Sequence, residues 1–182
     1  MLLNKKAFLI VFLLLQLITV FQFFRDRHYH YIAETLIIIV AVVFITWLDL
    51  RKNLPVSNYL YIIALISFSG HTVGGELFNL YLVPLYDKFL HVFGIYSFAM
   101  LGYILLGFYR YPLPGLLNAA VIIAVGLSLG ALYELWEFAI DQFMKPEIPA
   151  QSGLVDTNLD LLADLAGSVL AALHLQRKKP YV

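Results

Sequence analysis

Six apolar stretches, each about as long as a membrane-spanning helix, constrain the fold of this chain more than any other feature. A transmembrane helix needs about 20 predominantly apolar residues to cross the hydrocarbon core of a bilayer. The stretches cover approximately residues 7–24, 31–48, 56–78, 87–109, 116–143 and 158–175. We therefore expect an all-α, polytopic integral membrane bundle with about six transmembrane helices, forming a single transmembrane domain over residues 1–182.

The composition supports a membrane protein and excludes several functional classes. The chain is 62% hydrophobic and 13% charged, whereas ordinary soluble domains are about 45–50% apolar and about 25% charged. Its net charge is zero and no long basic run is present, so membrane lipids are expected partners and nucleic acid is not. The absence of cysteine excludes disulfides, thiol nucleophiles and thiolate metal sites.

Positively charged residues are unevenly divided between the loops on the two sides of the membrane. If both termini are cytoplasmic, eight Lys and Arg residues flank the spans on the cytoplasmic side and four on the other side. The cytoplasmic set is Lys5, Lys6, Arg51, Lys52, Arg110, Arg177, Lys178 and Lys179. The positive-inside rule therefore favours this orientation, in the cytoplasmic membrane of a bacterium or archaeon.

Acidic and histidine side chains recur at helical spacing in the last three spans. Asp87 and His91 are four residues apart at the start of the fourth span, and the sixth span opens with acids at four-residue intervals. The acids of the last two spans are Glu134, Glu137, Asp141, Asp156, Asp160 and Asp164. Each set shares one helix face, and span parity puts all three in the same, extracytoplasmic half of the membrane. Because ionised groups that face lipid are costly, we expect these faces to surround one polar cavity.

The residue types in this cavity predict a divalent-metal site or an acid/base site. Carboxylates and imidazole bind Zn, Mn or Mg, and helical bundles build such sites from inward-pointing Glu, Asp and His. The candidate metal ligands are Asp87, His91, Glu134, Glu137, Asp160 and Asp164, and the candidate catalytic residues are Glu137, Glu134 and His91. Glu137 is the preferred acid/base, because Trp136 beside it offers an apolar wall.

Four further residues are expected in secondary or capping roles, namely His71, Glu76, Asp141 and Asp156. The alternative for the whole cluster is structural, with acids that cap helices and hydrogen-bond one another at the interface. Capping accounts for about one carboxylate per helix, such as Asp87 or Asp156. It does not account for the acids deeper in the spans, which are Asp160, Asp164, Glu134 and Glu137.

Two glycine motifs admit structural interpretations. Gly126-Leu-Ser-Leu-Gly130 matches the G-x-S-x-G pattern of serine hydrolases, but that motif requires a strand–turn–helix context. In the middle of a span the same glycines indicate close helix packing. Gly74-Gly75, near the end of the third span, indicates a broken helix end, which is tolerated where it is buried or lines a cavity.

The segment Asp87-Lys88-Phe89-Leu90-His91 resembles the D-K-x-x-H signature of the VanZ-like (teicoplanin-resistance-protein-like) membrane proteins. In those proteins a glutamate-bearing helix and then an aspartate-led helix follow, as Glu134-Leu-Trp-Glu137 and Asp156–Gly167 do here. The order of motifs is more similar to the YjdF-type uncharacterised bacterial inner-membrane proteins. The resemblance covers about residues 70–172 and implies that the site lies there, with the spans at 7–50 peripheral.

The leading functional hypothesis is a metal-assisted membrane enzyme, a hydrolase or transferase that acts on a lipid-linked or cell-envelope substrate. One alternative is a cation- or proton-coupled binding or transport protein, although we see no internal repeat of the kind that transporters often contain. Another alternative is an accessory protein that binds envelope lipids without catalysis. The sequence predicts neither the substrate nor the oligomeric state.

Overall fold

The computed structural model describes residues 2–110, 113–146 and 149–177, with side chains between residues 5 and 176 of these ranges. The cytoplasmic charges expected at Lys178 and Lys179 therefore lie outside the described residues. The described residues contain helices and loops and no β-strand.

Six long helices confirm the all-α membrane architecture. They are α1 (Leu2–Arg25), α2 (Tyr29–Lys52), α3 (Asn58–Ser69), α4 (Tyr86–Leu105), α5 (Gly115–Phe143) and α6 (Leu154–Arg177). A π-helical segment, Gly70–Leu77, continues α3, and short 3₁₀ turns cover Leu80–Leu82 and Phe108–Arg110. In the described part of the chain, six helical segments are long and apolar enough to cross a membrane, the third of them being Asn58–Leu77.

Several helix boundaries differ from the predicted ones, and two of the differences bear on the site. The fourth helix ends at Leu105 because Gly107 adopts a positive φ of 81°, a conformation that interrupts a right-handed helix. The sixth helix begins at Leu154, four residues before the predicted start. Asp156 therefore lies inside its first turn rather than ahead of it, where a carboxylate suits the positive end of the helix dipole.

The structure forms two compact units, Met1–Leu90 (the first unit) and His91–Val182 (the second unit). Within the first unit, α1 packs against α2, α3 and the π-helical segment. The polar residues of the first span face inward: Gln16 and Thr19 are fully buried, and Thr72 Oγ1 donates to Gln16 Oε1 at 2.9 Å. The polar residues that interrupt the α1 sequence therefore specify its packing.

A buried ion pair joins the ends of α1 and α2 in the first unit. Lys5 Nζ lies 2.7 Å from Asp49 Oδ2, and it also donates to the Val56 carbonyl. Both charged side chains are 4% exposed. The additional hydrogen bond to Val56 satisfies a second ammonium proton, as a buried charge requires.

Within the second unit, α5 packs along α6 through small residues. A Cβ added to Gly126 would overlap the Ser168 side chain, and one added to Gly130 would overlap the Asp164 carboxylate. Ser128, between these glycines, is exposed in the middle of α5. The G-x-S-x-G segment therefore serves as a helix-packing motif and lacks the strand–turn–helix context of a nucleophile elbow.

Candidate functional site

The second unit buries a histidine among three carboxylates. His91 on α4, Glu134 on α5, and Asp160 and Asp164 on α6 are each at most 7% exposed. The i, i+4 spacing of Asp160 and Asp164 puts both on the face of α6 that meets His91. The structure therefore brings together four of the predicted site residues, and this set is called the His91 cluster below.

One ring nitrogen of His91 is fixed by Asp164. Nδ1 of His91 lies 2.9 Å from Asp164 Oδ1, at hydrogen-bond distance. Asp164 is fully buried, and it fits against α5 because Gly130 has no side chain in its way. The small residue on α5 and the acid on α6 together set the orientation of the imidazole.

The other ring nitrogen faces the two remaining acids. Nε2 of His91 lies 3.6 Å from Asp160 Oδ1 and 3.9 Å from Glu134 Oε1. An imidazole that carries a proton on Nδ1 donates to Asp164 and presents the Nε2 lone pair to these two oxygens. This pattern, a histidine held by a carboxylate behind it, is typical of metal-binding histidines.

The separations of these atoms are close to those required around a small divalent cation. Ligand bonds of about 2.1 Å in tetrahedral geometry put neighbouring donor atoms about 3.4 Å apart. The distances from His91 Nε2 to Asp160 and Glu134 exceed this value by a few tenths of an ångström. The distance from His91 Nε2 to each of these two oxygens is therefore close to that between neighbouring ligands of one ion.

Two carboxylate oxygens of the cluster lack the partners that burial requires. Among the described residues, Glu134 Oε1 and Asp164 Oδ2 are buried and make no hydrogen bond. An unsatisfied buried acceptor costs about 1–3 kcal/mol, and more if it is charged. These two oxygens therefore have room to accept a proton or a cation.

A loop residue that the sequence analysis did not single out holds Glu134 in place. Gln151 Nε2 donates to Glu134 Oε2 at 3.0 Å and to the Glu134 carbonyl at 2.9 Å. Asp141 in turn accepts from the backbone N–H groups of Ala150 and Gln151, at 2.7 and 3.0 Å. Asp141 thus stabilises the loop between α5 and α6, in keeping with its expected secondary role.

The remaining predicted residues have other local surroundings. Asp87 belongs to the first unit, one helical turn before His91 on α4, and pairs with Lys88 at 3.0 Å. Asp156 accepts from the Ser152 N–H at 3.1 Å, which fits its expected capping role. Glu137 is half-buried on α5. Metal binding by Asp87 and Glu137 stays a prediction.

Glu134 is more deeply buried than Glu137, the residue that the sequence analysis preferred as the acid/base. Glu134 is 5% exposed and faces His91, whereas Trp136, the expected apolar wall for Glu137, is itself 41% exposed. The acid/base role of Glu137 stays a prediction.

A second polar cluster lies within the first unit. Nε2 of His71 is 3.2 Å from Glu34 Oε1 and 3.1 Å from Glu76 Oε1, and His71 Nδ1 is hydrogen-bonded to the Tyr81 hydroxyl. His71 and Glu76 were expected only in secondary roles, and Glu34 was not a candidate site residue. The second span, which was expected to be peripheral, therefore contributes Glu34 to this cluster.

Comparison with known proteins agrees with the membrane architecture. The family model described as "Predicted membrane protein (DUF2238)" matches residues 7–179. An uncharacterized protein of Thermotoga maritima is 35% identical over 113 residues, which are 60% of this chain and 57% of that protein. The chain thus spans just over half the length of that relative. No solved structure matches the chain. The match over nearly the whole sequence shows that this chain belongs to the DUF2238 family of predicted membrane proteins.

Proposed function

We propose that this protein is a membrane-embedded, metal-assisted enzyme in which the His91 cluster binds a divalent cation and acts on a lipid-linked substrate. The observation that carries the proposal is the buried Glu134 Oε1, which has no hydrogen-bond partner among the described residues and faces His91 Nε2. A cation between these atoms would satisfy both. We also propose that the chain is related to the VanZ-like membrane proteins and that both of its termini are cytoplasmic.

Each residue of the cluster has a distinct role in this proposal. His91, Glu134 and Asp160 supply one nitrogen and two oxygen donors, a set that suits Zn²⁺ or Mn²⁺. Asp164 holds the imidazole from behind, and Gln151 keeps Glu134 oriented. A bound divalent cation supplies Lewis-acid chemistry, polarising a phosphoryl or carbonyl oxygen and acidifying a coordinated water. The carboxylate of Glu134 or Asp160 would serve as the base that takes up a proton during the reaction.

A lipid-linked substrate fits the surroundings of the cluster. The residues lie in helices that are apolar enough to cross a membrane, and the helices of the second unit expose large apolar side chains such as Leu132, Leu135 and Leu162. A substrate that is itself anchored in the bilayer reaches such a site by lateral diffusion. Its polar head group would then meet the carboxylates and the cation.

Reconstitution tests this function. The purified protein is placed in vesicles made from total membrane lipids of the host cell, with Mn²⁺ or Zn²⁺, and the lipids are followed by mass spectrometry. We expect loss of one lipid-linked species, dependent on the metal and abolished by Glu134→Gln. Gln142→Ala serves as the control, because Gln142 is an exposed residue of α5 and its replacement leaves the cluster intact. Identical lipid profiles with the parent protein and with Glu134→Gln would contradict the proposal.

A proton-coupled transport protein is the second candidate, favoured by the short contact between His91 and Asp164. That hydrogen bond joins two titratable groups inside a membrane helix bundle, an arrangement that proton relays use. The two functions differ in their need for metal. Proton uptake into vesicles that persists in excess chelator and is lost in Asp164→Asn would favour transport.

A further inference from the structure

The π-helical segment Gly70–Leu77 has an unusual backbone that the surrounding aromatic residues support. Its wider turn is seen in the bond from the Phe78 N–H to the Val73 carbonyl, five residues back, at 3.0 Å. Tyr86 donates its hydroxyl proton to the Gly70 carbonyl at 2.8 Å. A Cβ on Gly74 would overlap Tyr86, and one on Gly75 would overlap the Tyr81 ring. Such π-helical turns occur frequently at functional sites.

The π-helical geometry brings His71 and Glu76 together. In an α-helix, residues five apart point about 140° away from each other, whereas the i→i+5 turn of a π-helix returns them to nearly the same face. His71 Nε2 and Glu76 Oε1 accordingly lie 3.1 Å apart. The widened turn therefore creates a contact that a regular helix would prevent.

Glu34 on α2 completes a three-residue cluster with these two side chains. Its Oε1 lies 3.2 Å from His71 Nε2. One nitrogen and two carboxylate oxygens, one from each residue, all lie within 4.8 Å of one another. The side chains of Glu34, His71 and Glu76 are 13%, 16% and 3% exposed. The cluster is therefore compact and largely shielded, with donors of the kind that borderline divalent metals prefer.

Glu76 supplies the observation that points to a ligand. Its Oε2 is buried and makes no hydrogen bond among the described residues, although its Oε1 contacts His71. Glu76 as a whole is 7% exposed. A cation that contacts Glu76 would remove the unsatisfied acceptor.

Tyr81 orients the imidazole of this cluster. Its hydroxyl is hydrogen-bonded to His71 Nδ1. Burial raises the pKa of Tyr81, against an opposing effect of His71, so the phenol stays protonated at neutral pH. When His71 carries its proton on Nδ1 it donates to the Tyr81 oxygen, and the Nε2 lone pair faces Glu34 and Glu76. Tyr81 is thus a positioning residue, one step behind the proposed ligands.

We propose that Glu34, His71 and Glu76 form a divalent-cation site made from residues of the first unit alone. Mn²⁺ and Zn²⁺ are the ions that this nitrogen and oxygen set would take. A bound ion would tie α2 to the π-helical segment, because Glu34 comes from α2 and the other two ligands from Gly70–Leu77. The site does not depend on the function proposed for the His91 cluster.

Counting bound ions in matched variants tests this site. The full chain in detergent is titrated with Mn²⁺, and free Mn²⁺ is followed by electron paramagnetic resonance, with Zn²⁺ content measured in parallel. We expect Glu76→Gln to bind one metal ion per chain fewer than the parent. It should still bind any ion that is lost in Glu134→Gln. Asp26→Asn, which alters an acid that is exposed and lies next to Arg25, is the control and should bind like the parent.

The outcomes separate the two sites. If Glu134→Gln binds as many ions per chain as the parent while Glu76→Gln binds one fewer, the function proposed above is contradicted and the Glu76 site is supported. A folded Glu76→Gln that binds both ions like the parent would overturn the first-unit site, as would a parent without bound Mn²⁺ or Zn²⁺. If Glu76→Gln does not fold, His71→Gln provides the same test. Tyr81→Phe should weaken binding by about 10–100-fold without changing the number of sites.

Discussion

His91 Nδ1 lies 2.9 Å from Asp164 Oδ1, although the two residues are 73 positions apart in the chain. This hydrogen bond fixes the imidazole so that Nε2 faces Asp160 and Glu134. The bond joins α4 to α6, and Glu134 from α5 lies on the other side of the same imidazole ring.

Loss of the Asp164 carboxylate should weaken cation binding without removing a proposed ligand. In Asp164→Asn the imidazole loses its charged partner, so we expect Mn²⁺ affinity at the His91 cluster to fall about 10–100-fold. The measurement is a Mn²⁺ titration of the purified variant, with Asp26→Asn as the matched exchange at an exposed acid. Unchanged affinity in Asp164→Asn would show that Asp164 has no orienting role.

Gly130→Ala should destabilise the second unit, because the added Cβ would overlap the Asp164 carboxylate. Overpacking of this kind costs about 1–3 kcal/mol, which unfolding in detergent would detect as a lower midpoint. Gly115→Ala is the control, since no heavy atom lies within 4 Å of the Cβ it would add. Equal midpoints for the two variants would refute the proposed close packing of α5 on α6.

Asp141→Ala should loosen the loop that positions Glu134. The exchange removes the acceptor of the Ala150 and Gln151 N–H groups, so hydrogen–deuterium exchange at these two amides should become faster. Since Gln151 orients Glu134, cation affinity should fall as well, and Gln151→Ala should reproduce that fall. Slow exchange at both amides in Asp141→Ala would contradict this account.

Lys5→Ala should be strongly destabilising because it leaves Asp49 buried without its partner. Removing one member of a buried ion pair costs about 3–5 kcal/mol, whereas replacing both by apolar residues is often neutral. We therefore expect the double variant Lys5→Met with Asp49→Leu to unfold at a higher temperature than Lys5→Ala. Lys6→Ala, at an exposed neighbouring lysine, controls for the loss of charge. A stable Lys5→Ala would mean that the pair contributes little.

Helical periodicity predicted most of the architecture and much of the His91 cluster. Long apolar stretches identified the six spans, and four-residue spacing put Asp160 and Asp164 on the face that meets His91. These inferences succeeded because a regular α-helix fixes which residues share a face. Orientation in the membrane and binding of a metal stay predictions, since they depend on the bilayer and on an ion.

The parts that sequence could not predict depend on irregular backbone and on loops. His71 and Glu76 point apart on an α-helical wheel, and only the π-helical turn aligns them. Gln151 reaches Glu134 across the loop between α5 and α6, which no periodic pattern encodes. The choice between Glu134 and Glu137 depended on the depth of packing, which two neighbouring positions on one helix do not reveal.

The most direct test of the central proposal is the Mn²⁺ and Zn²⁺ stoichiometry of the purified full chain, compared with Glu134→Gln and with Glu137→Gln. The account predicts that Glu134→Gln loses one bound ion per chain, because it removes the buried oxygen that faces His91 Nε2. Half-buried Glu137 should be the less important glutamate, so Glu137→Gln should keep that ion. A folded Glu134→Gln that binds as many ions as the parent, or a parent that binds none, would contradict the account.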